Sequence, residues 1–293
     1  MIIIAEHAGF CFGVKRTVDA ISEALNNNNN SNQEVWTIGL PIHNPQEVSR
    51  LQNMGLRIAE NDGEIPSGAK VMIRAHGEPL EVITRLRERG VTVEDMTCPF
   101  VKKAQDLADK LSREGYYIIL LGDKNHPEIK GIMGHVNGEN NSEVIADENE
   151  ASRISRHSKT ALISQTTQRE ERLENVAGIL TGKCSELHVC NTICKATADR
   201  QEAVRKLVHD DNVDGVVLIG GRSSANTGKL RDILESEGVE VLWVEDEKET
   251  ETEKNSKWFN NKIKIGIAAG ASTPEWLIDK VKNIIAAKQE FKG

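Results

Sequence analysis

Three of the five cysteines in this chain, Cys11, Cys98 and Cys194, fall at nearly equal intervals, one in each third of the sequence. Each is followed by apolar residues near a 3.6 period: Val14, Val18, Ile21 and Leu25, then Val101, Ala104, Ala108 and Leu111, then Ala203, Val204, Leu207 and Val208. That period predicts a helix after every cysteine. A thiol in the first turn of a helix faces backbone N–H groups and the positive end of the dipole, which favour the thiolate. Three such turns meeting would hold zinc or an iron–sulfur cluster. Structural zinc usually shows C-x-x-C pairs, and the sequence contains none. A cubane cluster usually takes four cysteines, so three protein ligands would leave one iron open as a Lewis acid. On spacing alone, ordinary buried thiols fit as well. Cys184 and Cys190, in "GKCSELHVCNTIC", match no common ligand spacing, and "ELHVC" reads as a buried strand, so both are expected to be core cysteines.

A second set of polar residues follows apolar runs. "GLPIHNP", "RAHGEP", "GDKNHPE", "SQTTQ", "GGRSSANTGK" and "AAGASTPEW" carry His43, His76, His126, Glu128, Thr166, Thr167, Ser224, Asn226 and Ser272. Ligands of open parallel sheets bind beyond the carboxyl ends of the strands. Neutral donors and imidazoles there suit a diphosphate, with charge assistance where a histidine is protonated. Helices starting at "SSANTGKL" and "ASTPEW" would add backbone N–H groups. Taken singly, a His before Pro is an ordinary turn residue, and "SQTTQ" an ordinary helix cap. Glu128, two residues from His126, is either an exposed first-turn carboxylate or a proton donor in a dry site. No Walker loop or G-x-G-x-x-G fingerprint is present, which disfavours a nucleotide site.

The elements that must position these groups alternate along the chain. Strand-like runs are "MIII", "VWTIG", "VMIRA", "YYIILLG", "TALIS", "DGVVLIG", "VEVLWV" and "KIKIGIA". Amphipathic segments such as "PFVKKAQDLADKLSREG", "TADRQEAVRKLVHDD" and "NTGKLRDILESEG" lie between them. The alternation predicts an α/β fold with mostly parallel sheets, and the cysteine spacing suggests three related units. "NNNNNSN" and "EDEKETETEKNSK" read as solvated surface loops.

A length of 293 residues implies two or three domains. A net charge of −8 argues against coating a nucleic acid. The longest apolar runs fall short of the ~20 residues that span a bilayer. The start of the sequence lacks a basic n-region and a long h-region, so the expectation is a soluble protein of the cytoplasm, with no membrane and no nucleic-acid partner.

The ordered set "GFCFGVKR", "RAHGEP", "DMTCPFVKKAQ", "GDKNHPEIKGIMGH", "SQTTQ", "NTICKATADRQEA", "SSANTGKL" and "GASTPEW" resembles the IspH/LytB family of 4-hydroxy-3-methylbut-2-enyl diphosphate reductases from about residue 5 to about residue 280. The resemblance implies the last step of the methylerythritol phosphate route. There the allylic hydroxyl is removed reductively to give isopentenyl and dimethylallyl diphosphates. It implies a trefoil-like arrangement of three similar α/β domains around a central [4Fe–4S] cluster, here 1–97, 98–193 and 194–293. It places the cluster ligands on Cys11, Cys98 and Cys194, with one iron open and readily lost in air to leave [3Fe–4S]. It carries the diphosphate contacts to His43, His76, His126, Ser224, Asn226 and Ser272. Proton delivery falls on Glu128, helped by Thr166 or Thr167, and electrons are expected from a ferredoxin or flavodoxin. One departure stands out: the family's Asn-Ser-Ser-Asn-Thr is Ser223-Ser224-Ala225-Asn226-Thr227 here, so one hydroxyl is missing. Two other readings compete. A non-catalytic iron–sulfur sensor would use the three cysteines without needing Glu128. A zinc hydrolase would use the histidines as ligands but lacks H-x-H or H-E-x-x-H spacing.

Overall fold

The computed structural model describes residues 1–27, 33–138 and 141–290. The chain begins β1 (Ile2–Ile4), α1 (Phe12–Asn27), β2 (Val35–Ile38), α2 (Pro45–Asn53), β3 (Arg57–Ala59), β4 (Lys70–Ile73), α3 (Leu80–Glu88) and β5 (Thr92–Asp95). It continues α4 (Pro99–Arg113), β6 (Tyr117–Leu121), α5 (Pro127–Met133), β7 (Ser142–Ile145), α6 (Glu148–Ala151), β8 (His157–Ser164), α7 (Glu170–Thr181) and β9 (Cys184–Cys190). The remainder is α8 (Lys195–His209), β10 (Gly215–Ile219), α9 (Ala225–Ser236), β11 (Val241–Val244), α10 (Glu247–Glu251), α11 (Glu253–Trp258), β12 (Ile265–Ala269) and α12 (Glu275–Glu290). The fold is α/β, as the alternation requires.

Among the described residues the strands form three four-stranded sheets, ordered β3-β2-β4-β5, β7-β6-β8-β9 and β1-β12-β10-β11. Every pairing is parallel. Counted from β2 and from β6, the first two sheets have the order second, first, third, fourth. Counted from β10, the last sheet has the same order read from its other edge, with β1 as its fourth strand. Residues 2–4 therefore join the sheet of segment 194–293 rather than the strands of 1–97, because β1 finds its hydrogen-bond partners on β12.

The chain divides into two compact units, one of Met1–Lys15, Ile42–Asn53 and Lys195–Gly293, the other of Arg16–Pro41 and Met54–Cys194. The first unit holds one sheet, buried on both faces. Val217 and Ile219 of β10 pack into one core with Phe259, Leu277 and Val281, while Val216 and Leu218 pack into the opposite one with Val204, Leu207 and Leu230. In the second unit β6 is divided in the same way. Ile118 and Leu120 meet Ala104, Ala108 and Leu111 of α4, while Ile119 and Leu121 meet Leu173, Val176 and Leu180 of α7. Strands buried on both faces read as continuous apolar runs, which is why the sequence exposes them.

Three expectations need correction or a limit. "EDEKETETEKNSK" is not a loop: Asp246 accepts the Glu249 N–H, Thr252 accepts the Asn255 N–H, and α10 and α11 follow from these caps. Thr250 within them is fully buried. The "ELHVC" strand exists as β9, but it is a sheet edge with only Cys190 buried, and Cys184 is half-buried. Of the asparagine tract, Asn26 and Asn27 close α1, and residues 28–32 lie outside the described residues.

Candidate functional site

A repeated backbone plan places the polar residues. In all three sheets the first and third strands are neighbours, with the second and fourth strands on opposite sides of them, which makes a topological switch point. Leu121 is level with Ser164, and Ile219 with Ala269, so these strands end side by side. His43, His126 and Ser224 each lie five residues past a first strand. His76, Thr167 and Ser272 each lie three residues past a third strand. The cysteines follow the fourth strands and immediately precede α1, α4 and α8.

One hydrogen bond recurs in each repeat. The backbone N–H of Cys11 donates to the Ala271 carbonyl at 3.1 Å, that of Cys98 to Ala75 at 3.0 Å, and that of Cys194 to Thr166 at 2.9 Å. Each acceptor is the second residue past its third strand. Every cysteine is thus tied to the loop carrying Ser272, His76 or Thr167. None of the five cysteines is in a disulfide. Cys11 Sγ accepts the Val14 N–H at 3.5 Å, and Cys98 occupies the cap position of α4. Cys11 in the first unit, and Cys98 and Cys194 in the second, are each half-buried and anchored by their backbone at the start of a helix of 15 or 16 residues, where the helix N–H groups favour a thiolate.

In the second unit a buried carboxyl sits in a compact set of hydrogen bonds. Glu128 is 3% exposed, in the first turn of α5. Its Oε1 accepts the Thr166 N–H at 2.7 Å, and its Oε2 accepts the Thr166 hydroxyl at 2.8 Å. Burial raises its pKa above the ordinary carboxylate range, opposed by the two Thr166 bonds. Thr166, rather than Thr167, is the partner. The Glu128 N–H in turn donates to His126 Nδ1 at 3.2 Å, so His126 caps α5. The His76 and His126 rings meet edge to face at 5.4 Å.

The loop carrying His76 is held by a pair the sequence reading passed over. Arg74 Nε–H donates to Glu78 at 3.1 Å, and its Nη1–H donates to the Leu40 carbonyl at 3.3 Å. Burial pulls the Arg74 pKa down and pushes that of Glu78 up, each opposed by its partner. The signal was within "RAHGEP", where both charges stand two residues from His76. From below, α5 approaches so closely that a Cβ on Gly131 would lie 3.1 Å from the His76 carbonyl.

The first unit carries neutral donors. Ser224 caps α9, its Oγ accepting the Thr227 N–H at 3.3 Å, which leaves its own hydroxyl hydrogen to donate outward. Asn226 is buried in the first turn, and neither Oδ1 nor Nδ2 has a hydrogen-bond partner among the described residues. Buried amides left so are costly unless a ligand completes them. Ser272 is buried in the loop before α12. The carbonyl of His43 lies where a Cβ on Gly221 would come within 2.3 Å, so this approach requires glycine. Ala225 is half-buried beside Ser224.

Comparisons with known proteins agree on one assignment. A family model described as LytB protein matches residues 2–286. The 4-hydroxy-3-methylbut-2-enyl diphosphate reductase of Aquifex aeolicus is 42% identical over 97% of this chain and 95% of its own length. That of Citrifermentans bemidjiense is 41% identical over 99% of both. A solved structure of (E)-4-hydroxy-3-methyl-but-2-enyl diphosphate reductase, described as the terminal enzyme of the non-mevalonate pathway, aligns with a TM-score of 0.72 at 41% identity over 98% of this chain and 99% of that one. The structure of the corresponding reductase from Plasmodium falciparum shares the fold, with a TM-score of 0.87 at 24% identity over 97% and 87% of the two chains. With motifs, three-sheet fold and near-complete coverage in agreement, the chain belongs to the LytB protein family.

Proposed function

We infer that the chain is a 4-hydroxy-3-methylbut-2-enyl diphosphate reductase, an iron–sulfur oxidoreductase of isoprenoid biosynthesis. It removes the allylic hydroxyl of its substrate, giving isopentenyl and dimethylallyl diphosphates. Cys11, Cys98 and Cys194 would hold the iron–sulfur group as a three-thiolate [4Fe–4S] cluster. When bound, this group supplies electrons and an open Lewis-acid iron at the reacting carbon–oxygen bond. The electrons come singly from a ferredoxin or flavodoxin.

The observation that carries this reading is the buried Glu128 on Thr166, whose carbonyl receives the Cys194 N–H. Burial keeps the Glu128 carboxyl protonated further up the pH scale than an exposed one. The protonated Glu128 carboxyl gives its proton to the departing hydroxyl, directly or through the Thr166 hydroxyl once that group turns to accept from the carboxyl and donate onward, and the oxygen leaves as water. Reduction takes two electrons and a second proton, which ends on carbon. His126 donates to diphosphate oxygen, as do His43, His76, Ser224, Asn226 and Ser272. Holding the diphosphate fixes the short carbon chain against the reacting group, which is catalysis by positioning.

The test is anaerobic purification with iron and sulfide counts, and Mössbauer spectra before and after addition of the hydroxylated substrate. Four irons, one of which changes coordination on addition, are expected. Zinc without sulfide would overturn the assignment, and a cluster indifferent to substrate would leave a sensor instead.

A further inference from the structure

The helices that follow the cysteines share another device. Arg200 lies six residues past Cys194, in α8, and is 5% exposed. Its Nη2–H donates to the Gly9 carbonyl at 2.7 Å, and its Nη1–H donates to the Ala196 carbonyl at 2.8 Å. Gly9 stands two residues before Cys11. In the other unit Thr17 lies six residues past Cys11 and is fully buried. Its hydroxyl donates to the carbonyl of Met96 at 3.5 Å, and Met96 stands two residues before Cys98. The residue six past one cysteine thus holds the carbonyl two before the next, taking the cysteines in cyclic order along the chain. The third place belongs to Ala104, six past Cys98, which has no side-chain donor.

Two places in the cycle pair the same sequence positions but differ in strength and charge, a 2.7 Å bond from Arg200 against a 3.5 Å contact from Thr17. Threonine would suffice to hold a carbonyl, whereas arginine brings a permanent cation into a buried position, at a cost in desolvation. The segment it holds is also strained, with His7 at φ +59° and Gly9 at φ +103° just before Cys11. We propose that Arg200 is a positioning residue that fixes the Cys11 loop and, through its buried charge, raises the reduction potential of the group the cysteines hold. The inference rests on the three-cysteine iron–sulfur reading above. A thiolate-bound cluster is anionic, and reduction adds a further negative charge. A nearby buried cation favours the reduced form, because net charge around such a cluster sets its potential.

The experiment is an anaerobic redox titration of the whole iron-loaded chain, followed by electron paramagnetic resonance, on the wild type and on Arg200→Met, Arg200→Gln and Arg200→Lys. Met and Gln should shift the one-electron equilibrium toward the oxidised form by about tenfold, or ~59 mV, with Lys close to the wild type. In iron-free protein, amide hydrogen exchange across the loop from Gly9 to Cys11, read by mass spectrometry, should be faster in Arg200→Met than in the wild type, because the Arg200 bond to the Gly9 carbonyl is gone. Loss of iron in Met and Gln with retention in Lys would also support a role for the charge. Wild-type potentials in loaded Met and Gln variants would overturn the proposal, as would loss of iron in all three variants, Lys included. A wild type that binds neither iron nor sulfide would remove the three-cysteine reading itself, and the inference with it.

Discussion

Glu128 and Asn226 occupy the same slot in two different units. Each is the second residue after the cap of the helix that follows a first strand, with His126 as the cap in one case and Ser224 in the other. Both are buried. Yet both oxygens of Glu128 are taken by Thr166, and both amide atoms of Asn226 are unpartnered among the described residues. One backbone plan thus carries two kinds of group. Where the third-strand loop supplies a hydroxyl and an N–H, both oxygens of the buried carboxyl are bonded, and these bonds oppose the burial that raises its pKa. In the other unit the buried amide keeps a donor and an acceptor without a partner among the described residues. The lesson is that the repeat fixes positions, while the neighbouring loop decides the chemistry.

The largest expected effect separates the two slots directly. Glu128→Gln should lower kcat by about 10²- to 10⁴-fold while the iron count stays unchanged, since the amide fills the space but carries no transferable proton. Full activity in Glu128→Gln would put the proton elsewhere. Asn226→Ala should act on the other side of the comparison. It is expected to raise KM by roughly 5- to 150-fold, from a loss of about 1–3 kcal/mol, with a smaller change in kcat. Equal losses in kcat and kcat/KM for this variant would show that the two slots do not divide their tasks in this way.

A third prediction uses pH. Burial raises the folded-state pKa of Glu128 above the ordinary value of 4.5, so the folded chain keeps this proton after the unfolded chain has lost it. The contribution to stability is complete below the unfolded value and is lost as pH rises through the folded one. Activity should fall over that same upper limb. In Glu128→Gln the stability slope from this group should vanish, as urea unfolding at a series of pH values would show; a slope identical to that of the wild type would assign it to another group.

Smaller effects belong to the first unit. Gly270 lies where an added Cβ would come within 2.1 Å of Thr227 Oγ1, so Gly270→Ala should cost about 1–3 kcal/mol in chemical unfolding. An unchanged midpoint would mean that Thr227 swings aside freely. Ala225→Ser restores a hydroxyl beside Ser224 and should tighten substrate binding by tenfold or less, at about 0.5–1.5 kcal/mol for one hydrogen bond. No change in KM would show that Asn226 and Ser224 already meet the demand of the diphosphate at this turn.

Every central strand was legible, because β2, β4, β6, β8, β10 and β12 are buried among neighbours and must be runs of apolar residues. The expected helices at α4, α8 and α9 appear for the same reason. The strands that escaped, β3, β5 and β7, are all sheet edges, where partial exposure admits Arg57, Glu94 and Glu143 and erases the pattern. Residue types at strand ends likewise named the polar candidates before any coordinates, since a turn beyond a parallel strand must be polar whether or not it binds anything.

What the sequence by itself determined was therefore local: which segments alternate as strand and helix, which residues end them, and that three cysteines head three helices. Tertiary structure decided the pairings that no local period encodes. It placed β1 beside β12, set Thr166 rather than Thr167 on Glu128, made His126 the cap of α5 through the Glu128 N–H, and tied Cys11, Cys98 and Cys194 each to a third-strand loop. The physical reason is that a period records whether a side chain is buried. The identity of its partner depends on contacts between residues far apart in the chain.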